Sequence, residues 1–195
     1  MALRSFAHSR TRIALVAVAL ISAVPAWAGP IEDNAADADA RIASGDGGGA
    51  VAAFDAAAAA FFDAVPLTFR VATFADDVAG FGKYTPHAGA YHAGETATVY
   101  LEPVGYGFTR DGDDFRVSYG TGLEIRTPGG LILGKTDDFG ALTWTGRARS
   151  YEVQAAVSVT LPTALKPGDY ELLLTLKDEA SSKSATATLP FTIAE

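Results

Sequence analysis

Tyr151-Glu152-Val153-Gln154-Ala155-Ala156-Val157-Ser158-Val159-Thr160-Leu161 is the longest alternating run in the chain. Tyr151, Val153, Ala155, Val157, Val159 and Leu161 fall on one side of an extended backbone, and Glu152, Gln154, Ser158 and Thr160 fall on the other. A strand with one apolar and one polar face belongs to an antiparallel sheet that packs on one side only. The same period recurs along the chain. Leu67, Phe69 and Val71 alternate with Thr68, Arg70 and Ala72. Over residues 95–104, Ala97, Val99 and Leu101 oppose Thr96, Thr98, Tyr100 and Glu102. Shorter strands are predicted over residues 115–119, 123–126, 131–133 and 142–145, with a turn at Pro128-Gly129-Gly130. Residues 169–177 and 184–193 close the chain as a hairpin. About eight strands with Gly/Pro turns predict an antiparallel, immunoglobulin-like β-sandwich over residues 66–195.

Upstream the pattern changes. Residues 29–65 are rich in Ala, Gly and Asp. In residues 50–65, Val51, Phe54, Ala58, Phe61, Phe62 and Val65 share one face of a helix, and this face is expected to dock on the rest of the protein. Pro66 ends the helix. Residues 37–44 predict a shorter helix. Gly45-Asp46 followed by Ala50, Phe54 and Ala57 is similar to half of a tetratricopeptide unit, but no second copy follows to form a solenoid.

Residues 1–28 have the layout of a secretory signal peptide. Arg4, Arg10 and Arg12 precede an apolar run from Ile13 to Val24, then Pro25 and the small-x-small site Ala26-Trp27-Ala28. Twelve residues fall short of the about 20 needed to span a bilayer core, so cleavage after Ala28 and export are expected, to the periplasm or the medium. Beyond the leader, twelve basic residues face 23 acidic ones, a net charge of −11. Such a surface repels phosphate backbones and anionic lipid, which argues against nucleic-acid binding. The chain has no cysteine, so thiol chemistry, Cys-ligated zinc and iron–sulfur clusters are excluded, and an ordinary apolar core must hold the fold.

Leu165-Lys166-Pro167-Gly168-Asp169-Tyr170 is similar to the approach to strand F in fibronectin-III and other immunoglobulin-like domains. The resemblance implies a tyrosine corner at Tyr170, with Leu172 where antibody domains place a cysteine. More broadly, Pro66-Leu67-Thr68-Phe69-Arg70, Gly94-Glu95, Tyr100-Leu101-Glu102-Pro103-Val104-Gly105-Tyr106 and Leu189-Pro190-Phe191-Thr192-Ile193 resemble a group of uncharacterised exported bacterial proteins. That likeness implies fold and export, and brings no reaction with it.

Three sets of residues could carry chemistry. His87 and His92, in the loop over residues 82–94, with Glu95, offer two imidazoles and a carboxylate for zinc or copper. Their spacing of five suits neither a helix face nor a strand face, so solvated loop histidines are the competing reading. Tyr84, Tyr91, Tyr106 and Phe108, with Phe81, crowd two loops and could form a flat binding surface or roof the core. The acidic groups Asp76-Asp77, Asp111-Gly112-Asp113-Asp114 and Asp137-Asp138 are expected in inter-strand turns. No Gly-x-Ser-x-Gly and no phosphate-binding Gly-rich loop appears. The expectation is a non-catalytic interaction module of the cell envelope with no cofactor. Its partner would be another envelope protein or a surface polymer, engaged through sheet edges, aromatic loops or an added strand. A metal-binding accessory protein and an envelope hydrolase are the alternatives.

Overall fold

Ala97, Val99 and Leu101 are completely sealed from solvent, as are Leu172, Leu174 and Leu176, and these two rows face each other across the core. Each large apolar side chain so buried contributes about 1.5–3 kcal/mol. The computed structural model describes residues 29–195, and the leader expected over residues 1–28 lies outside the described residues.

Two helices, α1 (Pro30–Ser44) and α2 (Gly47–Ala64), precede nine strands: β1 (Thr68–Gly80), β2 (Lys83–Pro86), β3 (Thr96–Val104), β4 (Thr109–Asp111), β5 (Asp114–Arg126), β6 (Ile132–Gly146), β7 (Ala155–Thr160), β8 (Gly168–Asp178) and β9 (Ser184–Ile193). One sheet runs β2-β1-β3-β7. In the other, β5 pairs with β6 on one side and with β4 and β8 on the other, and β8 pairs with β9. All strand pairings are antiparallel. In immunoglobulin lettering, β1, β3 and β7 take the places of A, B and E, and β6, β5, β8 and β9 those of C′, C, F and G. The chain is therefore an immunoglobulin-like β-sandwich carrying an N-terminal helical hairpin.

The alternation at residues 151–161 holds: Val153, Ala155, Val157, Val159 and Leu161 are buried, while Ala156, Ser158 and Thr160 are exposed. Four expectations change. The segments at 115–119 and 123–126 are one strand, β5, and those at 131–133 and 142–145 join in β6. Asp137-Asp138 therefore sits in a bulge of β6: the register passes from Thr121↔Gly140 to Leu123↔Thr136, two residues against four. Asp76-Asp77 lies within β1, and the loop expected over residues 82–94 begins with strand β2. Only Asp111–Asp114 makes the expected tight turn, between β4 and β5.

The fourth change concerns α2. Its small residues Ala50, Ala53 and Ala57 are buried and, with Ala38 of α1, allow the two helices to approach closely. Phe62 alone enters the sandwich core, against Tyr106 and Tyr151 at ring-centroid distances of 5.2 and 4.4 Å. Val51, Phe54 and Phe61, expected to dock, are 63, 65 and 44 % exposed. The apolar face is real, but the chain's own sandwich does not cover it.

Candidate functional site

The two long flanks of the sandwich are built differently. On the β1/β9 flank, the strap after β2 bridges the sheets. Tyr91 N donates to the Thr192 carbonyl at 2.9 Å, and Ala194 N donates back to the Tyr91 carbonyl at 2.8 Å. Tyr91 also stacks edge-on against Phe74 at 5.4 Å and lies near Phe191 at 6.4 Å.

On the opposite flank, β6 and β7 are both edge strands, each paired on one side only. Between them opens a cleft of about 210 Å³ lined by Tyr119, Leu142, Thr143, Trp144, Val153, Gln154, Ala155 and Ala156. Leu142 and Trp144 of β6 pack partly against the core, as does Tyr151 before β7. The Tyr119 hydroxyl is buried with no hydrogen-bond partner, and burial raises its pKa. Further along β6, Ile132 and Leu133 are 51 and 45 % exposed, and Leu131 before them is 66 % exposed. Leu133 lines a second groove with Pro162, Ala164, Leu165, Lys166 and Tyr170. Two unpaired backbone edges thus flank a cleft lined by polar and apolar groups alike, and free edges of this kind accept an additional strand.

Sequence reading picks out residues 142–145 as a strand but not Trp144, Gln154 or Ala156 as cleft residues. One signal was available. Only residues 147–154 separate β6 from β7, too few to cross between sheets and also lay down a strand over the flank.

The expected metal ligands do not gather. His87 Nδ1 lies 2.6 Å from Asp76 Oδ1, and its ring stacks on Tyr91 at 4.0 Å. Glu95 closes its own turn: its carboxylate accepts from His92 N at 2.8 Å, and its N–H donates to the His92 carbonyl at 3.0 Å. The His92 side chain is exposed. Among the described residues, no group of three or more His, Cys, Asp and Glu side chains is arranged to hold a metal ion.

The expected aromatic surface is mostly roof. Tyr91 and Tyr106 are 3 and 0 % exposed. The Tyr106 hydroxyl donates to the Ser150 carbonyl at 2.8 Å, and Phe108 sits edge-on to Tyr106, Phe115 and Tyr151. Tyr84 is half-buried and stacks on Tyr100 at 4.2 Å. Tyr91 belongs to the strap of the β1/β9 flank, Tyr106 and Phe108 pack on the core, and Tyr84 stacks on Tyr100 outside it. The Tyr170 hydroxyl donates to the Lys166 carbonyl at 2.9 Å, the bond of a tyrosine corner, and Leu172 two residues on is fully buried.

Two carboxylates are buried among the described residues, and each is engaged by the scaffold. Glu102 accepts from the Tyr100 hydroxyl at 2.7 Å. Asp178 accepts from Gly107 N at 2.7 Å, from Ala180 N at 3.1 Å and from the Ser181 hydroxyl. No helix among the described residues is long and apolar enough to cross a membrane. In comparison with known proteins, the chain matches no family model and no curated protein at a significant level of similarity.

Proposed function

We propose that this protein is an exported, non-catalytic interaction module of the cell envelope, and that it takes an extended strand of a partner protein at its β6–β7 flank. The observation that carries this reading is the pair of unpaired strand edges facing one cleft. Backbone hydrogen bonds along such an edge supply affinity, and alternate side chains entering the cleft supply selectivity. The charged residues on β6, Lys135, Asp137 and Asp138, are where an edge strand carries charge to discourage indiscriminate pairing.

In-cell photocross-linking tests it. A photoreactive residue at Thr143 or Ala156, on the cleft, is expected to give one discrete adduct. The same residue at Thr186, on the exposed face of β9, is expected to give none. Adducts of equal yield at all three positions, or none at the cleft, overturn the proposal.

A further inference from the structure

Three of the seven arginines beyond residue 28, Arg110, Arg147 and Arg149, gather around Phe115, in a chain whose net charge beyond that residue is −11. Arg149 lies over the rings of Phe108 and Phe115 at 5.3 and 5.5 Å, and Arg110 lies over Phe115 at 3.9 Å. Arg147 and Arg149 both line a cleft of about 470 Å³ between α2 and the connection from β6 to β7. Ala56 and Ala59 of α2, with Phe115 and Tyr151, supply its apolar surface, and Asp55 stands on the helix side. The volume is that of a small-molecule site, which typically measures about 300–1,000 Å³. None of these lining residues belongs to the cleft between β6 and β7, so the site does not rest on strand addition.

The guanidinium groups keep donors to spare. Arg147 reaches Asp113 at 3.7 Å and Asp114 at 3.3 Å, longer than the about 2.7–2.9 Å of a charge-assisted hydrogen bond. Arg149 pairs with no carboxylate among the described residues, and its guanidinium rests on aromatic rings instead. A cation–π contact holds a guanidinium while using none of its N–H donors. Two cations with free N–H groups thus stand at the edge of an apolar cleft.

We propose that this cleft binds a small organic monocarboxylate with an apolar body. The carboxylate takes the N–H forks of Arg149 and Arg147, for which the planar guanidinium is suited. The body lies against Phe115, Tyr151 and the two alanines. Asp55 across the cleft repels a second negative charge, so dicarboxylates and polyanions are rejected.

Isothermal titration with 4-phenylbutyrate and with decanoate, each compared with the matching alcohol, reads the charge and the body separately. Each acid should bind at least about tenfold more tightly than its alcohol. Arg147→Gln/Arg149→Gln should abolish that difference and keep the wild-type circular dichroism, because both residues are exposed. Arg149→Lys keeps a cation over the rings and loses the fork, so it should weaken the acids alone. Lys83→Gln, on β2, should change nothing. Amide shifts on titration should cluster at residues 55–59, 115 and 147–151. Equal affinity for acid and alcohol, no binding of either acid up to about 5 mM, undiminished binding by the double variant, or shifts confined to other residues overturns the proposal.

Discussion

The Lys183 ammonium ties the two parts of the molecule together. It donates to the carbonyls of Phe62, Asp63 and Val65 at 2.9, 3.0 and 2.8 Å, and to that of Gly105 at 3.0 Å. Three of these oxygens come from the end of α2, where carbonyls lack intrahelical partners and the helix dipole is negative. Gly105 is held there by geometry: at φ +87 a Cβ would sit 2.6 Å from the Pro66 carbonyl. Lys183→Met should loosen the helical hairpin by roughly 1.5–3 kcal/mol, the worth of hydrogen bonds to a charged group. Hydrogen exchange should then rise at residues 47–64 while the β8 amides keep their protection. Tyr170→Phe removes one neutral hydrogen bond and should cost on the order of 1 kcal/mol in the denaturant midpoint. These two residues differ in how far the sequence exposes them. Tyr170 bonds four residues back along the chain, so a local motif announces it. The partners of Lys183 lie 78 to 121 residues away, and no local pattern encodes that reach.

At the scale of elements, α2 shows why an apolar stripe does not say what it packs against. The sequence contains two apolar faces on this helix, one of alanines and one of Val51, Phe54 and Phe61. Area alone favours the larger side chains for docking. Close approach to α1 favours the alanines, and Ala57→Leu should separate the helices and cost about 1–3 kcal/mol by overpacking, measurable as a lowered unfolding midpoint. The strands divide in a similar way. β3, β7, β8 and β9 were legible because one face of each lies on the core. β6 was legible only in pieces: its burial is slight through residues 132–141, so apolar alternation has nothing to enforce there, and pairing with β5 carries the strand through Gly134 and the Asp137-Asp138 bulge. The cleft it forms with β7 depends on residues 142–144 and 153–156 meeting in space, which periodicity does not report.

For the whole molecule, aromatic burial sets an upper limit on pH. Desolvation pushes the Tyr91 hydroxyl up to about 12, and desolvation with the hydrogen bond to Glu102 does the same for Tyr100; burial also raises Tyr106 and Tyr119. A raised folded pKa favours the neutral phenol, so this stability is fully present below the unfolded value of about 10 and is lost as pH rises toward 12. The unfolding midpoint should hold between pH 8 and 9.5 and fall steeply above 10. A midpoint unchanged to pH 11.5 would contradict the burial of these four rings.

The molecule as a whole is a sandwich with one flank strapped and one flank open. Amide hydrogen exchange compared between the protein in its producing cells and the purified chain is the decisive measurement for the proposed strand addition at the open flank. Added protection in the cell is expected over residues 132–146 and 155–160, the two free edges that the proposed partner strand would pair with. Identical exchange at both edges in the two settings, with any added protection confined elsewhere, would contradict strand addition.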